Sequence, residues 1–204
     1  MKQVLQGIIF DYGGVISTPQ DVDCVSQMAA LTGLERKELV CRYRRHRDEY
    51  DAGILDAPSF WQAVAGDDAP LLEQDVLEKL RRLDVASWTR LDPAMVSFLS
   101  TLRRKVPWLA LISNITPDAL EHIRRHHSWW KLFDVLTFSC EVGHAKPSRQ
   151  IYLSCLKRIP VPPAELLFVD DVWVNLRGAE EAGLRTLHYR SFYQFKKELG
   201  CWVC

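Results

Sequence analysis

The sequence predicts an α/β protein: a doubly wound parallel sheet with a small all-helical segment inserted after the first strand. Three observations carry that reading. Short apolar, β-branched runs recur at 5–10, 108–113, 134–139 and 165–170, with a fifth at 184–189, and runs of this length bounded by turn residues read as strands. Segments of helical periodicity separate the later runs, which is the βαβ rhythm of a parallel sheet. Residues 17–90, by contrast, show helical periodicity without strands.

Each element has a local reason. "LQGIIF" stops at Asp11 and runs into Gly13-Gly14, a turn composition. In the insertion, Val22, Val25 and Ala29 mark one apolar stripe and Leu39 and Tyr43 the next, followed by "SFWQAV" and "LLEQDVLEKLRRL", with "AGDDAP" as a loop. Asp92-Pro93 opens a helix bearing Met95, Leu99 and Leu102, and Thr116-Pro117-Asp118 opens another bearing Leu120 and Ile123. A capping side chain followed by proline is a strong helix start. Pro147 begins a helix with Ile151, Cys155, Leu156 and Ile159 as its stripe, and a last helix runs from about Val172 to Gly183, where glycine ends it. The expected division is a core of 1–16 and 91–204 and a helical domain of 17–90.

Composition limits the function classes. The chain has 204 residues, 48% hydrophobic and 25% charged, with formal net charge 0, the profile of a globular protein and not of a disordered or nucleic-acid-binding one. No apolar run approaches the roughly 18 residues of a membrane span, and "MKQVLQGIIFDYGG" lacks a secretory core and cleavage site. A cytoplasmic protein is the expectation, with no membrane or nucleic-acid partner and a monomeric or homodimeric state. Cys24, Cys41, Cys140, Cys155, Cys201 and Cys204 are scattered, so reduced thiols are expected, and the lone terminal "CWVC" is weak evidence for metal or redox chemistry. "CRYRRHRDEY" reads as a solvated helix face, or as a source of arginines for an anion.

In an open parallel sheet, ligands bind at the carboxyl ends of the strands. Asp11 stands after the first run, Ser113 and Asn114 after the second, Asp170 and Asp171 after the fourth, and Lys146 lies in the loop "GHAKP". Clustered carboxylates repel unless a cation sits among them, and a few oxygen ligands with room for water and phosphate suit magnesium. A lysine facing that cluster can hold a phosphate or a nucleophilic carboxylate. Amides of the glycine turn and the Ser113 hydroxyl are donors for phosphoryl oxygens. Taken singly, the same residues also read as a helix cap, a surface lysine and an N-cap pair.

The set "FDYGGV", "LISN", "GHAKP" and "FVDDVWVNLRGAEEAG", in that order and spacing, resembles the four motifs of the haloacid dehalogenase-like hydrolases over nearly the whole chain. The resemblance implies a Rossmann-like core with a helical cap after the first motif, similar to small sugar-phosphate phosphatases. It makes Asp11 the nucleophile that forms an aspartyl-phosphate, Ser113 the phosphate-binding hydroxyl and Lys146 the lysine that steadies both. Magnesium would be held by Asp11, the Gly13 carbonyl and Asp171, with Asp170 behind it or as an alternative ligand, and Asn175 stands where many relatives carry a second acid. Tyr12, Gly13, Gly14, Ser113, Asn114 and Lys146 would line the substrate site, and the partner would be a small phosphorylated metabolite, with a sugar phosphate among the candidates.

One position departs from the family pattern. Most of its phosphatases place a second aspartate two residues after the nucleophile to move the leaving-group proton, and here that residue is Gly13. Three readings follow: a phosphatase that uses water or a cap group such as His46, Asp48 or Glu49, or that takes a leaving group needing little help, such as the anomeric oxygen of a sugar 1-phosphate; a 2-haloacid dehalogenase, which needs no such acid; or a binding protein with little turnover. Arg42, Arg45, His46, Tyr50 and Trp61 are the candidates in the helical segment for contacting substrate, each of which also reads as a structural or solvated residue.

Overall fold

A computed structural model describes residues 5–66 and 68–200. Five parallel strands, β1 (Gly7–Phe10), β2 (Trp108–Ser113), β3 (Val135–Phe138), β4 (Leu166–Asp170) and β5 (Arg185–His188), form one sheet in the order β3-β2-β1-β4-β5. The order reverses on either side of β1, so the crevice at the sheet's carboxyl edge opens beside Asp11.

The sheet is buried on both faces, and residue parity decides which side chain goes where. Ile8, Phe10, Leu109, Leu111, Leu167 and Val169 enter one core. Their neighbours Ile9, Ala110, Ile112, Leu166 and Phe168 enter the other. Helices α5 (Pro93–Leu102), α6 (Pro117–His126) and α10 (Phe192–Leu199) cover the first face through Leu99, Leu120 and Phe195. Helices α8 (Arg149–Leu156) and α9 (Trp173–Glu181) cover the second through Ile151, Tyr152 and Leu176.

The start signals at Asp92 and Thr116 correspond to real caps: Asp92 accepts from the amides of Ala94 and Met95, and Thr116 from that of Ala119. The helix expected from Pro147 begins two residues later, at Arg149. The short helix α7 (Ser139–Val142), the terminal helix α10 and two 3-10 turns, Trp129–Leu132 and Pro163–Glu165, had no clear sequence signal.

Between Ile16 and Asp92 the chain builds α1 (Val22–Thr32), α2 (Arg36–Asp51), α3 (Ala57–Ala65) and α4 (Gln74–Trp88). They share a core of their own, in which Met28, Phe60, Trp61 and Leu80 are fully buried. The two connections to the sheet run side by side, with Ser17 bridged to Leu91 and the Asp92 amide donating to Ile16 O at 2.9 Å. Among the described residues, no helix is long and apolar enough to cross a membrane. The terminal pair Cys201 and Cys204 lies outside the described residues.

Candidate active site

The strand ends deliver Asp11, Asp170 and Asp171 to one point, where one carboxylate oxygen of each lies within 4.8 Å of the others. Lys146 enters this cluster from the β3–α8 connection, with its Nζ 2.6 Å from Asp11 Oδ1 and 2.7 Å from Asp170 Oδ2. Asn114 places that lysine. Its side chain accepts from the Lys146 amide at 2.7 Å and donates to the Lys146 carbonyl at 3.0 Å, fastening the loop to the end of β2.

Asp170 and Asp171 are adjacent but differently placed. Asp170 is fully buried and accepts from Lys146, from the Val172 amide at 2.8 Å and from Asn175 Nδ2 at 3.2 Å. Asp171 instead lines a cavity of about 330 Å³ together with Asp11, Tyr12, Gly13 and Lys146. Ser113 is buried beneath, its hydroxyl donating to Asn114 O at 3.3 Å.

Gly14 lets the turn pass under Asp171. Its φ is +70°, and a Cβ there would lie 2.5 Å from Asp171 Oδ2. Gly14→Ala therefore adds left-handed strain to a steric clash with a carboxylate of the cluster. The expected result is a loss of about 1 to 3 kcal/mol of stability and weaker divalent-cation binding, read by thermal melts with and without magnesium.

Electrostatics point the same way as the geometry. Burial pushes the Asp11 carboxyl well above its ordinary value, Lys146 opposes that, and the Asp170 charge adds to it. Burial alone would lower the Lys146 ammonium, but Asp11 and Asp170 outweigh it and hold it above its usual range. Burial, and then the charge of Asp170, raises Asp171 as well. Three carboxylates facing one ammonium are short of positive charge, and an all-oxygen donor set of this kind suits a hard dication such as magnesium.

The helical segment supplies the opposite wall of the cavity through Arg47, Asp48 and Asp51 of α2 and Trp88 of α4. Of the candidates named in the helical segment, Asp48 lines this cavity. Arg42, Arg45 and His46 line a separate pocket against α3, because they lie on the other side of α2. Tyr50 and Trp61 are consumed by the core of the helical segment, stacked on and edge to Phe60. Glu49 is not among the groups that line the cavity. Arg47, Asp51 and Trp88 were missed because nothing in a helical repeat says which polar position faces a cavity belonging to another part of the chain.

A doubly wound, Rossmann-like α/β architecture with a carboxylate-lysine cluster at its switch point is thus the class of protein that fold and site define. The model of the haloacid dehalogenase-like hydrolases matches residues 5–183, and the chain belongs to that family. It is 27% identical to a sesquiterpene phosphatase of Aspergillus oryzae, over 92% of this chain and 91% of that protein. It is 25% identical to the D-ribitol-5-phosphate phosphatase of Bacteroides thetaiotaomicron, over 96% and 97%. A HAD family enzyme of that bacterium, crystallised in complex with magnesium and inorganic phosphate, shares the fold with a TM-score of 0.72 at 17% identity, covering 92% of this chain and 96% of that one.

Proposed function

We propose that this hydrolase is a magnesium-dependent phosphatase that cleaves small phosphomonoesters through an aspartyl-phosphate on Asp11. The observation that carries the reading is the triad of Asp11, Lys146 and Asp170. Lys146 and the Tyr12 amide both hold Asp11 Oδ1, each at 2.6 Å, which fixes the carboxylate and leaves Oδ2 to attack phosphorus. Splitting the displacement into two steps on one carboxylate is covalent catalysis.

Magnesium, held by Asp11, Asp171 and the Gly13 carbonyl, would supply charge neutralisation that lets a phosphate dianion approach the carboxylates. Lys146 stays beside the transferring group as a fixed cation, the Gly13 and Gly14 amides are that group's hydrogen-bond donors, and the buried Ser113 hydroxyl joins them by turning from Asn114 O. Asn114 acts on the reaction by aiming Lys146, and Asp170 anchors that lysine from below. We assign residues 17–90 the role of a cap over this cavity, with 1–16 and 91–204 as the core.

The leaving group is open to two chemistries, since one relative is named for a polyol phosphate and another for a sesquiterpene. We place sugar and polyol phosphates first, because the cap wall over Asp11 is polar, with Arg47, Asp48 and Asp51 in it. The dehalogenase reading fits less well: without a cation, three carboxylates repel an anionic haloacid.

The test is phosphate release from a panel of sugar phosphates, other phosphomonoesters and 2-haloacids. Release that needs magnesium, stops on adding a chelator and returns with excess metal is the expected result. Halide release indifferent to the chelator would overturn the phosphatase.

A further inference from the structure

The side-chain space at Gly13 is already bounded. A Cβ built there would sit 3.6 Å from Cζ3 and 3.7 Å from Cε3 of Trp88. Those are ordinary van der Waals contacts, so Trp88 borders the space at Gly13, and glycine itself brings no side chain into the cavity. Any side-chain proton donor has to come from the facing wall of the cavity.

We infer that Asp51, the last residue of α2, protonates the leaving oxygen and then deprotonates the water that releases phosphate. The inference rests on the phosphatase reading. Asp51 lines the same cavity as Asp11 and is only 4% exposed. Its backbone carbonyl accepts from Ser139 Oγ at 2.5 Å, and the same hydroxyl accepts from the Ile115 amide at 2.8 Å. The end of α2 is thereby pinned to the core beside β2.

Charge counting favours a proton on Asp51. Arg47 is the one cation between two buried acids, Asp51 at 2.9 Å and Asp84 at 2.9 Å. Asp84 also accepts from Tyr43 OH at 2.5 Å and takes a second contact from Arg47 at 3.2 Å, so it is the better place for the negative charge. Asp51 has only its Oδ1 engaged by Arg47, and no bond to Oδ2 is found among the described residues. Burial lifts the Asp51 carboxyl to about 6 in spite of Arg47, with Asp84 and Asp48 pushing the same way. The remaining groups around it are Tyr50 on its own helix, Cys140 on α7, whose Glu141 is paired with Arg124 at 2.8 Å, and Lys146 with Asp11 and Asp171 across the cavity.

The steps balance. As Asp11 Oδ2 bonds to phosphorus and the P–O bond to the alcohol breaks, the proton on Asp51 passes to the departing oxygen. Water then attacks the aspartyl-phosphate, its proton returns to the Asp51 carboxylate, and the bond from phosphorus to Asp11 breaks, releasing inorganic phosphate.

The test compares Asp51→Asn with the parent on glycerol 3-phosphate, a poor leaving group, and p-nitrophenyl phosphate, a good one. General acid-base catalysis contributes about 10²- to 10⁴-fold, and a loss of that size on glycerol 3-phosphate is expected. On p-nitrophenyl phosphate the variant should give a burst of nitrophenol and then stall, with the phosphoryl group found on the protein by intact mass. The parent's kcat/KM for glycerol 3-phosphate should fall as pH rises through about 6, because the donor loses its proton, and that limb should vanish in the variant. Equal losses on both esters with no burst and an unchanged pH limb would make Asp51 a structural residue and overturn the inference. Asp48→Asn, on the same wall, should give no burst and keep the pH limb whatever it does to KM; a burst in that variant would pass the role to Asp48 and overturn the inference. Absence of turnover by the parent on either ester overturns the phosphatase reading and this inference with it, whereas robust parent turnover isolates the Asp51 question.

Discussion

Asp11→Asn is expected to lower phosphate release by on the order of 10⁴-fold or more while leaving the fold in place. The change is isosteric, so the β1 turn and its contacts keep their shape, but an amide oxygen is a poor nucleophile and cannot carry the phosphoryl group. Stability should move little because two effects oppose each other: Lys146 loses one of its two carboxylate partners, and Asp170 and Asp171 lose a like-charged neighbour. Divalent-cation affinity should drop with the lost ligand. Turnover at saturating substrate, a thermal melt and a magnesium titration followed by melting temperature separate these outcomes. Retention of more than a tenth of parental turnover would remove Asp11 from the nucleophile's place, whatever the cation does.

How much of this was legible beforehand follows from where each signal resides. The strands and the helices at Pro93 and Pro117 were readable because apolar runs and capping residues act within a few positions of each other, and the same local chemistry operates in the folded chain. Asp11, Asn114, Lys146 and Asp171 were readable because a parallel sheet sends its strand ends to one edge, which turns four distant loops into one place. The wall supplied by the helical segment was not readable. Arg42, Arg45 and His46 and the missed pair Arg47 and Asp51 lie within ten residues on one helix, and their division between two pockets depends on how α2 is rolled against α3 and α7. That roll is set by Tyr43, Tyr50, Phe60 and Trp61 packing together, contacts between helices that no spacing rule encodes. Trp88 likewise reads as an ordinary helix-end aromatic until the turn at Gly13 is brought beneath it.

Lys146→Met should damage both stability and catalysis, and the cation should repair only the first. The ammonium is 1% exposed and is held by Asp11 and Asp170, both carboxylates nearly or wholly buried. Replacing one partner of a buried charge set leaves the others uncompensated, which typically costs about 3 to 5 kcal/mol. Methionine fills the stem's volume, so the loss is electrostatic and not a cavity. Its pH dependence has a definite sign: the penalty exists while the carboxylates are ionised, so the gap between parent and variant should be widest at neutral pH and close as acid protonates them. Asp11, already raised by burial, should go higher still once the lysine that opposes that rise is gone. Under the proposed function magnesium would bind the folded state and neutralise the same carboxylates, so it should raise the melting temperature of the variant by more than that of the parent. Turnover should nonetheless remain about 10³-fold down, because a cation among the carboxylates does not replace the donor that Asn114 aims at Asp11 and the transferring group. Melts across pH with and without magnesium, together with phosphate release, decide the matter: a variant as stable as the parent at neutral pH would show that Lys146 does not balance this cluster.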